Sequence, residues 1–113
     1  MKRVLASEAS ANIGKTVLIQ GWVRLRRDHG KIIFLDVRDR SATIQVVVNP
    51  KASEEAYKVS QDLRPEDVLE IEGKVNKRPQ GTINKDLLTG EVEVEAHSIK
   101  VLSKAETLPF DMG

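Results

Sequence analysis

Apolar and polar residues alternate along most of this chain, which is the period of a β-strand. From Thr16 to Arg26, Val17, Ile19, Val23 and Leu25 share one phase, with Gly21 among them, while Leu18, Gln20, Trp22, Arg24 and Arg26 take the other. Asp28-His29-Gly30 predicts a turn into a second strand, where Ile33, Leu35 and Val37 face one side and Phe34, Asp36 and Arg38 the other. Asp39-Arg40-Ser41 leads into a third strand from Ala42 to Val48, with Thr43, Gln45 and Val47 in its outer phase. Asn49-Pro50 ends the meander, and Ala52, Ala56, Val59 and Leu63 then recur at helical spacing, with Ser53 or Asn49 as N-cap and Pro65 as the stop. Val68 to Lys77 predicts a fourth strand with Leu69, Ile71, Gly73 and Val75 inward. A loop from Arg78 to Gly90 follows. In the fifth strand Val92, Val94 and Ala96 share a phase that Ile99 and Val101 leave, which predicts a bulge near His97-Ser98. Ahead of all this, Ser7 to Lys15 reads as a polar lead-in with a short helical turn, closed by Gly14 and packing little.

Three strands, a helix and two strands specify an all-β chain. The order fits a five-stranded Greek-key β-barrel, the OB-fold, with one short helix between strands three and four. A small SH3-like barrel or an open sheet with one helix competes on pattern alone. Gly21 in the apolar phase suits the tight strand coiling of a small barrel. Residues 1–103 make up this domain, and 104–113, which lose the alternation, form the start of a connector.

Composition narrows the function. The 113 residues suffice for one domain; 40% are apolar and 31% charged, and no apolar run approaches the roughly 18 residues of a membrane span. The chain has no cysteine and no apolar signal segment after Met1-Lys2-Arg3, so a cytoplasmic location is expected. The net charge of +1 exerts no global pull on polyanions, so any nucleic-acid affinity must come from local clustering at Arg24, Arg26, Arg27, Arg38 and Arg40. His29 and His97 lack a partner set for a metal, and no nucleophile elbow or phosphate-cradling glycine loop is present.

Alone, the arginine cluster reads equally as an exposed basic edge that discourages strand pairing; Phe34 shifts that balance. An outward aromatic ring among arginines is how single-stranded nucleic acid is held, by base stacking plus charge. Its expected neighbours are Arg26, Gln45 and Arg38. The Gln45 amide offers a donor and an acceptor at once, which suits the edge of uracil. Glu91, Glu93 and Glu95 alternate on one strand face, either as a solvated polar face or with one of them accepting from the amino and imino donors of guanine. Trp22 is open to both readings, packed residue or stacking platform.

These residues also carry a family resemblance. Gly21-Trp22-Val23, Arg26-Arg27-Asp28, the run from Ile33 to Arg40, Gln45-Val46-Val47, Gly73-Lys74-Val75 and Arg78-Pro79 follow one another in order. After them come Gly81-Thr82-Ile83-Asn84, Thr89 to Val94, and Lys104 to Phe110. The ordered set resembles the N-terminal anticodon-binding domain of bacterial aspartyl-tRNA synthetases, over nearly the whole chain. The resemblance implies an OB-fold that reads the G-U-C anticodon of aspartate tRNA. By it, Phe34 stacks on the central uracil, Gln45 bonds that base, Glu93 reads the first base, Arg27 belongs to the anticodon pocket, and Arg78 and Asn84 approach the third base. His29 together with Gly81 resembles the non-discriminating enzymes, which also accept the G-U-U anticodon of asparagine tRNA; a turn histidine and a flexible glycine without that role are the other reading. Where the family commonly has three successive arginines this chain has Leu25-Arg26-Arg27, and Asn76 replaces a residue that is basic in many members. By the same resemblance the parent is a homodimeric class II ligase whose catalytic domain, outside this chain, binds aspartate, ATP, magnesium and the acceptor end. The chain itself is expected to bind and not to aminoacylate. A sequence-tolerant single-strand-binding module and a protein-interaction barrel are the competing functions.

Overall fold

The computed structural model describes residues 2–79 and 89–105. Among these residues, six strands and one α-helix follow in the order β1 (Lys2–Arg3), β2 (Thr16–His29), β3 (Ile32–Arg38), β4 (Thr43–Val48), α1 (Glu54–Ser60), β5 (Val68–Lys77) and β6 (Val92–Ser103). The sheet runs β1-β2-β3-β4-β6-β5 and closes through a further antiparallel pairing of β2 with β5. Strands β2 to β6 are therefore a closed five-stranded barrel, and the two residues of β1 add a parallel edge on Val17 and Leu18.

The alternating apolar phases meet inside. Val17, Ile19 and Val23 of β2, Ile33, Leu35 and Val37 of β3, Ile44, Val46 and Val48 of β4, Leu69, Ile71 and Val75 of β5, and Val92, Val94 and Ala96 of β6 are all buried. Glycines permit the closure at two points. A Cβ on Gly21 would lie 2.6 Å from the carbonyl oxygen of Arg38, and one on Gly73 would collide with that of Glu95. The apolar surface buried between these strands stabilises the barrel, at roughly 25 cal/mol per Å².

The expected bulge in the last strand is present: Glu72 pairs with Ser98 and Gly73 with Ala96, leaving His97 as the extra residue. Its carbonyl accepts from the hydroxyl of Ser53 at 2.9 Å, and the same hydroxyl caps α1 by accepting from the Ala56 N–H at 3.1 Å. One side chain thus satisfies the bulge and docks the helix on β6.

Three expectations on the fold are corrected. β2 runs through His29, so the turn is the two-residue Gly30-Lys31, with Gly30 at φ +60. A second bulge falls at Arg24, because Val23 pairs with Val37 but Leu25 pairs with Asp36. The bulge reverses the phase, so Leu25, expected in the core, is 48% exposed. The lead-in also packs more than expected: its 3-10 helix (Ala6–Asn12) buries Ala6, Ala9 and Asn12. Asp39 ties it down, accepting from the Ala6 N–H at 2.7 Å.

Candidate nucleic-acid interface

Cross-strand register builds the site as two adjacent rows on the outer face of the barrel. One row is Leu25, Asp36, Gln45 and Glu93, contributed by β2, β3, β4 and β6. The next is Arg27, Phe34, Val47 and Glu95 from the same strands. Residues opposite one another share a face, so sequence positions as distant as 27 and 93 are brought together.

The Arg27 guanidinium lies 5.9 Å from the centre of the Phe34 ring, within cation–π range. His29 meets the same ring edge-on, with centroids 5.6 Å apart and planes at 87°. Arg27 Nη2 also donates to Asp36 Oδ1 at 3.0 Å and to Gln45 Oε1 at 3.2 Å. Gln45 Nε2 donates in turn to Glu93 Oε1 at 3.2 Å. A cleft of about 270 Å³ opens among Arg27, His29, Phe34, Gln45 and Arg78. It is bounded by an aromatic ring, two guanidinium-bearing side chains and an amide, which is a surface for a planar, hydrogen-bonding, negatively charged ligand.

Burial pushes the Glu93 carboxyl above its ordinary value, more than the hydrogen bond from Gln45 and the charge of Arg78 pull it down; Glu95 adds to the rise. Arg78 is itself buried, its Nε donating to the Val92 carbonyl at 3.3 Å, and its backbone N–H donates to the Glu91 carbonyl at 2.9 Å. These contacts hold Arg78 against Glu91 and Val92, beside Glu93. Gly81 and Asn84, both expected in the site, lie outside the described residues.

Arg26 is not beside Phe34. The Arg24 bulge places it opposite Leu35, in the phase of the core, at the end of the barrel. There its guanidinium donates to the carbonyls of Gln61 and Leu63, just past α1, and pairs with Asp28 at 3.0 Å. The bond from Arg26 is also the main reason the Asp28 carboxyl lies below its usual range. Arg26 thereby ties the end of β2 to the segment that follows α1. The arginines do not form one tight cluster either. Arg38 is opposite Trp22 and donates to the Thr43 hydroxyl at 3.3 Å, and Trp22 lines a separate 650 Å³ cleft that includes Arg3 and Arg40. Sequence reasoning missed Asp36 as a member of the site, although its place two residues after Phe34 in the polar phase was the available signal.

Among the described residues no group of three or more His, Cys, Asp or Glu is placed to hold a metal ion, and no helix is long and apolar enough to cross a membrane.

A closed five-stranded barrel with an aromatic and hydrogen-bonding outer face defines a class of protein, and the chain belongs to it: it is a member of the tRNA anticodon family of OB-fold nucleic acid binding domains, whose model matches residues 17–102. Its relatives are more particular. The chain is 48% identical over 104 residues to the aspartate–tRNA(Asp/Asn) ligase of Halothermothrix orenii, covering 92% of this chain and 18% of that protein. It is 49% identical over 98 residues to the aspartate–tRNA ligase of Bacillus licheniformis, covering 87% and 17%. The aspartyl-tRNA synthetase of Entamoeba histolytica superposes with a TM-score of 0.81 at 27% identity, over 96% of this chain and 22% of that one. The chain thus spans under a fifth of the length of these curated relatives.

Proposed function

We propose that this chain reads the G-U-C anticodon of aspartate tRNA as the N-terminal domain of an aspartate–tRNA ligase. The observation that carries the reading is the contiguous set Arg27, Phe34, Gln45 and Glu93 on one outer face, linked by hydrogen bonds of 3.2 Å at both ends of the Gln45 amide. Phe34 offers the stacking surface for the central uracil, and the Gln45 amide bonds that base's edge. Glu93 accepts from the imino and amino donors of the first base, guanine. A half-buried carboxylate whose burial disfavours its charge favours such a partner, since two N–H groups would offset that burial. Arg78 stands at the opening of the loop that approaches the third base, with Gly81 and Asn84 farther along it. His29 packs on Phe34 at the edge of the cleft, where tolerance of uracil at the third base would extend reading to the G-U-U anticodon of asparagine tRNA.

Under this proposal the catalytic domain of the parent ligase, a homodimer of the cytoplasm, supplies aspartate activation with ATP and magnesium and the transfer to tRNA. These residues supply recognition of the anticodon loop.

The test is a titration of the chain, at one stated salt concentration, with three RNA hairpins of identical stem carrying G-U-C, G-U-U or a scrambled loop. Tighter binding to G-U-C than to the scrambled loop is expected, and near-equal binding to G-U-U marks the non-discriminating type. Equal binding to all three overturns anticodon reading and leaves a sequence-tolerant single-strand binder.

A further inference from the structure

A glutamine amide is two-faced. Turned one way about its last bond it places its N–H and C=O against the O4 and N3–H of uracil; turned the other way it fits the N4–H and N3 of cytosine in the same pose. A freely rotating Gln45 would therefore tolerate either pyrimidine on Phe34. In this structure it is not free. Its oxygen accepts from Arg27 Nη2 at 3.2 Å and its nitrogen donates to Glu93 Oε1 at 3.2 Å. A guanidinium can only donate and an ionised carboxylate can only accept. A flipped amide would face N–H to N–H on one side and oxygen to oxygen on the other, losing both bonds. Each amide atom still keeps one position for a base: the second N–H and the second lone pair.

What holds Arg27 in place is Asp36. The Asp36 carboxylate accepts from the same Nη2 at 3.0 Å, and it stands directly opposite Gln45 in the β3–β4 register. Without it, the long Arg27 side chain, which is exposed, has only the amide oxygen and a loose ring contact to fix its end.

We infer that Asp36 is a positioning residue for base recognition: by pinning Arg27 it locks the orientation of the Gln45 amide, and the lock selects uracil over cytosine at the central base. The inference rests on the anticodon reading above and adds to it the choice between pyrimidines. Asp36 does not touch the base. It acts through Arg27, and Glu93 completes the lock from the other side.

The experiment compares the parent with Asp36→Asn, which keeps the shape and removes the charge, on hairpins of identical stem carrying G-U-C or G-C-C. In the parent the uracil hairpin binds more tightly. In Asp36→Asn the ratio of the two affinities narrows by about tenfold, the factor carried by one hydrogen bond to a charged group. A purely structural role would weaken both hairpins alike and leave the ratio untouched. A second readout needs no RNA: the two side-chain N–H resonances of Gln45 in ¹⁵N NMR spectra are dispersed in the parent and move toward those of an exposed glutamine in the variant. Arg27→Met, which keeps the length of the side chain and removes the donor itself, narrows the ratio in the same way and serves if Asp36→Asn fails to unfold cooperatively. A parent that prefers uracil, paired with a folded variant whose ratio and Gln45 resonances are unchanged, overturns the lock alone. A parent that binds neither hairpin better than a scrambled loop overturns the anticodon reading, while the Gln45 resonances still decide whether the lock exists.

Discussion

Replacing Phe34 by alanine separates binding from folding. The ring stands on the outer face of β3 against His29 and Arg27, whereas the core members of that strand are Ile33, Leu35 and Val37. Its removal takes nothing from the barrel interior. Three interactions involve the ring under the proposed function: the cation–π contact with Arg27, about 0.5–1 kcal/mol at an exposed site, the edge-on contact with His29, about 0.5–1.5 kcal/mol, and base stacking, about 1–3 kcal/mol per base. The first two are present with or without RNA and largely cancel from the binding equilibrium. Stacking remains, and a loss of about 2 kcal/mol raises Kd roughly 30-fold. Fluorescence anisotropy of an end-labelled G-U-C hairpin measures it. Repeating the titration over a salt series checks the mechanism: Phe34 neutralises no phosphate, so the slope of log K against log salt stays that of the parent. Thermal unfolding should shift by no more than about 2–4 °C, as for a surface substitution. A Kd within twofold of the parent refutes the stacking role. A weakened Kd accompanied by a large fall in melting temperature refutes the separation, because it would place the ring in the fold.

Other perturbations test the electrostatics and the closure of the barrel. Burial raises the Glu93 carboxyl above 4.5, so the stability it contributes is present below that value and lost as pH rises through the raised one. Glu93→Gln should therefore melt higher than the parent at neutral pH, with the gap closing below pH 4.5, while binding the G-U-C hairpin more weakly; a lower melting temperature at pH 7 would contradict it. Asp39 behaves oppositely. Burial pushes its carboxyl up, but bonds from the Ser41 hydroxyl and the N–H groups of Ala6, Ser41 and Ala42 outweigh that and hold it below 3.8. Its stabilisation is present above 3.8 and is lost as pH falls through the depressed value. Asp39→Ala leaves buried N–H groups unpaired and should lose about 3 kcal/mol in urea unfolding at pH 7, with the difference narrowing in strong acid; a loss under about 1 kcal/mol would show that water replaces the carboxylate. Gly21→Ala would set a Cβ 2.6 Å from the Arg38 carbonyl oxygen and 2.9 Å from Val37 Cγ1. Forcing β2 and β3 apart should cost about 1–3 kcal/mol, and unchanged thermal stability would mean that the strands part freely there.

The five barrel strands, the helix with Ser53 as one of two candidate caps, the inward phases of β3 to β5 and the bulge near His97 were legible in the sequence, because each follows from periodicity within a few residues, whereas the short β1 was not. So was the outward placement of Phe34, Gln45 and Glu93, each an outer-phase residue between buried neighbours. The bulge at Arg24 was not. The apolar Leu25 continued the alternation and masked the break, and only the pairing of Leu25 with Asp36 on the neighbouring strand reveals it. That single extra residue moved Arg26 to the barrel end and Arg27 to Phe34. The lead-in was misjudged for the same reason: the acceptor that anchors Ala6 is Asp39, 33 positions away. Away from the Arg24 bulge, local alternation determined which residues face outward. Which of them touch was decided by cross-strand register, a property of strand pairs and barrel closure that no single stretch of chain contains.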